Sequence, residues 1–155
     1  MPEKTFAQYN MLLQMLSACD KKLLEFPGNM ELIAIRGLMN NLLENYKDAI
    51  ADFNRVIKLV SNDSSPYFLR ADSYYHLKEY TKSKKDLIAA YKIENKGDFE
   101  LDYLPEGFMK SNEIQNDDEI EHLRIILDNR KKIALLKYFP LVESFPLSKK
   151  TKAAK

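Results

Sequence analysis

The sequence predicts an all-α protein: a short stack of helical hairpins, with a packing helix before it and a long capping helix after it. Three observations carry this. Only four Gly and six Pro occur among 155 residues that are 45% hydrophobic and 30% charged, which leaves little material for the turns of a β fold. Apolar residues recur at the three- and four-residue steps of a helix. A stretch, ELIAIRGLMNNLLENYKDAIADF at 31–53, also returns in similar form as SPYFLRADSYYHLKEYTKSKKDL at 65–87. The length suits one domain, placed at 1–139, with a tail at 140–155 whose end is expected to be disordered.

The first element is a helix over 4–26. Phe6, Tyr9, Leu13, Leu16, Cys19 and Leu23 form an apolar stripe, and Pro27-Gly28 ends it. It suits a packing helix standing in for the second half of an incomplete repeat.

The two repeats follow at 30–62 and 64–97. Laying position i on position i+34 aligns Arg36 with Arg70, Leu43 with Leu77, Tyr46 with Tyr80, Asp52 with Asp86 and Lys58 with Lys92. Gly37 meets Ala71, Ala49 meets Ser83, and Phe53 meets Leu87. The retained positions are mostly small or apolar, as expected of a unit that buries the same face against each neighbour. Within the first copy, Ile33, Gly37, Leu38 and Asn41 step along one helix. Glu44-Asn45-Tyr46 turns the chain, and Ala49, Ile50, Phe53, Val56, Ile57 and Val60 step along the next. In the second copy Pro66 suits a first helical turn, where its missing N–H costs nothing.

The segment 98–116 leaves the repeat register, because Pro105 would fall inside a first helix. A helix is predicted at 117–139. Asn116 can cap it, Asp117, Asp118 and Glu119 suit its positive end, Lys131, Lys132 and Lys137 lie toward the other end, and Pro140 is expected to stop it. Ile120, Leu123, Ile126, Leu127, Ala134 and Tyr138 make its apolar face.

With Ile33, Gly37, Tyr46, Ala49 and Phe53 in one copy and Tyr67, Ala71, Tyr80, Ser83 and Leu87 in the other, the chain resembles the tetratricopeptide repeat family over about 30–97. It departs where Arg36 and Arg70 replace a usual Leu, where Asn40 replaces an aromatic, and where no Pro closes the second helices. An ion pair of these arginines with Asp52 and Asp86 is expected. The resemblance implies a concave groove lined by first helices. Leu38, Asn41, Phe68, Asp72, Tyr75 and His76 are its candidate contacts to a peptide or helix of a partner protein. The alternative is that a terminal helix of the chain itself covers Phe68 and Leu38. The polar clamp with which some family members grip chaperone C-terminal carboxylates is missing, since Ala34, Leu38, Leu69 and Ser65 stand there.

Chemistry is not signalled. His76 and His122 lie in no metal or nucleophile motif, and the four glycines form no phosphate loop, so neither enzyme nor cofactor is expected. Cys19 reads as buried and inert, and one cysteine with no leader or apolar run of about 18 residues suggests a cytoplasmic protein without membrane spans. A net charge of +1 disfavours nucleic acid, which would have to use the Lys-rich tail with Lys82, Lys84 and Lys85. The expected role is a non-catalytic scaffold or adaptor. Self-association through an uncapped repeat edge, as a subunit of a larger assembly, is the alternative.

Overall fold

A computed structural model describes residues 4–94 and 104–143, with only the backbone of 138–143. Among them are six α-helices and no strand: α1 (Phe6–Glu25), α2 (Met30–Leu42), α3 (Tyr46–Leu59), α4 (Ser65–His76), α5 (Tyr80–Glu94) and α6 (Asp117–Glu143). The all-α stack read from the sequence is what forms.

α1 starts at a reciprocal cap, in which the Gln8 amide donates to Thr5 Oγ1 and the Thr5 amide to Gln8 Oε1, at 3.2 and 2.9 Å. Its buried face is Leu12, Met15, Cys19 and Leu23. The expected stripe is therefore only half right, since Phe6, Tyr9 and Leu13 are exposed and Leu16 is partly covered. The helix carries two apolar stripes, and spacing alone does not say which one is covered.

The repeat register decides it. Cys19, Phe53 and Leu87 occupy successive i+34 places in α1, α3 and α5, and each is 0% exposed. Met15, Ala49 and Ser83 form a second buried series at the same interval. α1 thus occupies the place of a second helix in a preceding unit. The arginines repeat the pattern. Arg36 grips Asp52 through Nε and Nη2 at 2.9 and 2.8 Å and reaches back to Asp20, while Arg70 grips Asp86 at 2.7 and 2.6 Å and reaches back to Asn54. Asp20 and Asn54 are themselves one repeat apart, so each guanidinium clips one hairpin and ties it to the helix before it.

Both hairpin turns use the same device. The Glu44 and Asn45 amides donate to the Asn41 and Asn40 carbonyls, and the Lys78 and Glu79 amides donate to those of Tyr75 and Tyr74. These pairs satisfy carbonyls left over at the helix end, with Glu44 and Lys78 in the left-handed region at φ 66° and 62°.

After α5 the stack stops. Phe108, in a short 3-10 turn, is buried against the second repeat together with Leu123, Ile126 and Leu127 of α6. Asn116 Oδ1 accepts from the Glu119 amide at 3.1 Å, so the expected cap holds. α6 continues through Pro140 to Glu143 rather than stopping there. Proline keeps a helical φ, and inside a helix it removes one backbone hydrogen bond and crowds the preceding turn, which kinks a helix as well as breaking it. Residues 98–103 of the expected linker, the 95–97 end of the second repeat, the Tyr138 side chain and the tail beyond 143 lie outside the described residues.

Candidate functional site

α2 and α4 turn their expected groove residues to a common side, and α6 lies along it. Lys131 meets Asp72 at 3.1 Å and Lys137 meets Asp63 and Ser65, so α6 runs antiparallel to α4. Leu38 at 1%, Asn41 at 1%, Phe68 at 5% and Asp72 at 2% exposure are interior positions. These four are not open to a partner: α6 covers Phe68 and Asp72, Asn41 is closed against α4, and Leu38 lies within the buried cluster around α2. Arg130 lies 4.7 Å from the Phe68 ring centroid and its Nη1 meets Glu94 at 3.2 Å, while Ala134 and Leu135 of α6 belong to the cluster that holds Leu38.

Tyr75 and His76 are the two expected contacts that stay accessible. They line a cleft of about 560 Å³ at the hairpin-turn end of the groove, together with Tyr9, Asn41, Tyr46, Arg124, Asp128 and Lys131. The His76 ring stacks on Tyr46 with centroids 4.7 Å apart and planes 8° from parallel, and Tyr75 meets it edge-on at 5.7 Å. Behind them lies a buried polar cluster. Asp72 Oδ2 accepts from Asn41 Nδ2 and Lys131 Nζ, Asp72 Oδ1 lies 3.5 Å from His76 Nε2, and Asn41 also donates to Ser73 Oγ. The carboxylate at Nδ2 fixes how the Asn41 amide is turned, and its Oδ1 has no hydrogen-bond partner among the described residues.

The charges of the site follow from this packing. Burial alone would raise the Asp72 carboxyl, but the bonds from His76, Lys131 and Asn41 hold it below the usual range. Burial, with Glu44 and Asp72 nearby, pushes the Tyr46 hydroxyl up to about 12. Arg124 spends its donors on Glu121 and Asp128, and Lys131 on Asp72. The cleft therefore presents aromatic faces and hydroxyls rather than a field of one sign.

Sequence reasoning missed Tyr9, Tyr46, Arg124 and Lys131 as cleft residues. In the sequence Lys131 reads as a charge for the negative end of its helix. Its pairing across 59 residues with Asp72 has no local signal, although a lysine facing a buried aspartate is the usual answer to burying either charge. Lys84, grouped above with surface lysines, is 0% exposed; its ammonium meets Glu119 at 2.9 Å and the Glu113 carbonyl at 2.8 Å, so it cannot contact a nucleic acid. Cys19 is buried, and burial with a smaller push from Asp20 raises its thiol to about 11. Among the described residues no three His, Cys, Asp or Glu are placed to hold a metal ion, and no helix is long and apolar enough to cross a membrane.

No family model matches the chain, and no solved structure matches it. It is similar to a SET and MYND domain-containing protein of Dictyostelium discoideum, 34% identical over 87 residues. The match spans 51% of this chain but only 7% of the relative's length.

Proposed function

We propose that this protein is a non-catalytic interaction module of the tetratricopeptide repeat kind, acting in the cytoplasm as a scaffold or adaptor. The i, i+34 register that runs through α1, α3 and α5 supports the family reading. Likeness to a small part of a protein named for two domains suits a module that is also used inside longer chains. The observation that carries the functional reading is the tyrosine-lined cleft beside Tyr75 and His76, which stays open where α6 fills the rest of the groove.

Displacing α6 would uncover Leu123, Ile126 and Leu127 as well as Phe68. At about 1.5–3 kcal/mol per large apolar side chain, that cost outweighs what a short segment recovers. A partner segment therefore docks in the cleft and leaves α6 in place. Tyrosine rings give it contact area at low entropy cost. Replacing Tyr75 and His76 by Ala together should lose the partners captured by the wild-type protein in an affinity pull-down read by mass spectrometry, with the helical circular dichroism spectrum kept and the melt lowered but still cooperative, since His76 also supports Asp72. An unchanged partner list from the well-folded double variant would remove the cleft assignment.

A further inference from the structure

α1 carries a second apolar stripe that the fold does not use. Phe6 and Leu24 are 81% and 86% exposed, Leu13 is 40% exposed, and Ser17 lies exposed between them. The stack supplies its own control for this face. At the same register as Leu13, Ser17 and Leu24, α3 carries Lys47, Ala51 and Lys58, and α5 carries Thr81, Lys85 and Lys92, all exposed. The outer surface is thus kept wet by lysines in two of three equivalent helices and made apolar in the third. Exposed leucines scattered singly need no account, but a row of them on one face marks a contact surface.

The order of the stripe says which partner fits. Phe6, Leu13, Ser17 and Leu24 are spaced by seven, four and seven residues, a pattern that reads the same in both directions. Two copies of α1 laid antiparallel about a two-fold axis bring Phe6 opposite Leu24 and Leu13 opposite Ser17, so the large side chain of one copy meets the small one of the other. Self-complementarity of one patch is what a closed two-fold dimer requires. The open end of the stack is a poorer candidate. There Ala18 stands where α3 has Asp52, the carboxylate that grips Arg36 of α2, so a helix from a second copy seated on α1 would find no such clip. Gln14 and Lys22 flank that position and keep the edge polar.

We propose that the outer face of α1 is a homodimer interface, formed by Phe6, Leu13, Ser17 and Leu24 against the same residues of a second copy. The seam is about 27 Å long, short for a specific interface, so the test spans a wide range of protein concentration. The test is sedimentation equilibrium from low to high micromolar protein. The wild type should shift from monomer to dimer, and Leu13→Lys with Leu24→Lys should raise the dissociation constant at least tenfold, about 1.4 kcal/mol or more. Those substitutions copy what α3 already bears at the same register, so the fold is not put at risk, and an unchanged melt confirms it. Leu13→Cys chains mixed with Ser17→Cys chains should form a disulfide between copies faster than either does alone, with Cys19 too buried to compete. A wild type that stays monomeric throughout overturns the proposal, as does a dimer that survives the double lysine variant. A crosslink no faster in the mixture than in the separate chains overturns the antiparallel pairing.

Discussion

At the scale of single residues, the two repeats solve one packing problem in two ways. A Cβ on Gly37 would stand 2.8 Å from Phe53 Cε1, inside any normal contact, and Phe53 is 0% exposed with little room to move. The equivalent pair is Ala71 and Leu87, in which a methyl group is added on one side and the ring is replaced by a smaller branched chain on the other. Gly37→Ala should destabilise the protein by about 1–2 kcal/mol, overpacking exceeding the roughly 1 kcal/mol that Ala gains over Gly within a helix. Combined with Phe53→Leu it should cost about 1 kcal/mol less than the sum of the single changes, because the pair then has the second repeat's shape. Urea denaturation of the four proteins gives that coupling directly, and additive effects would show that the two sites do not compensate. Asp72 provides a test in pH. Its carboxyl is held below the usual range, so the stability it contributes is complete above its unfolded value, about 3.9, and is lost as pH falls through the lower folded value. Asp72→Asn should cost about 3 kcal/mol at neutral pH by leaving Lys131 buried without its counter-ion. The difference from wild type should shrink only below about pH 4, and a difference that stays constant down to pH 3 would mean that the ionised carboxylate is not what holds Lys131.

At the scale of elements, the sequence announces what is local and periodic. Each hairpin and the Asn116 cap are legible from spacing, and both Arg–Asp clips from the place the family resemblance gives the two arginines, because the packing of one unit is written within 34 residues and then repeated. The seating of α6 is not. Its buried positions Leu123, Ile126 and Leu127 read as an apolar face, but nothing in a period says which surface receives that face. The answer depends on cross-chain partners: Lys131 with Asp72, Arg130 with Glu94, and Lys84 with Glu119. These charges look like solvated surface until the fold brings them inside. The same holds for α1, where two stripes of comparable apolarity compete and the covered one is set by register with α3 and α5. Of the six expected groove residues, two therefore remain accessible; Phe68 and Asp72 lie beneath α6, and Leu38 and Asn41 are closed in the packing around α2.

At the scale of the molecule, the stack is short enough that its last helix is part of its core. α2 to α5 form two hairpins, below the three units that a repeat array usually needs, and α1 with α6 supplies the missing cover on either side. Leu123, Ile126, Leu127 and Ala134 all lie in the two buried clusters, and three of these four are large aliphatic chains. At about 1.5–3 kcal/mol for each such chain, α6 contributes on the order of the entire net stability of a domain, about 5–15 kcal/mol. A chain ending at residue 116 should then lose its cooperative thermal transition and bind an apolar dye, since Phe68 and its neighbours would face water. Adding the 117–143 segment as a separate peptide should restore the transition at concentrations that saturate it, because the groove is shaped for that helix and the 104–116 segment still covers α5. A truncated protein that melts as cooperatively and as high as the full chain would show α6 to be an accessory. The groove would then be open to partners along its whole length, and Leu38 and Phe68 would return as contact residues.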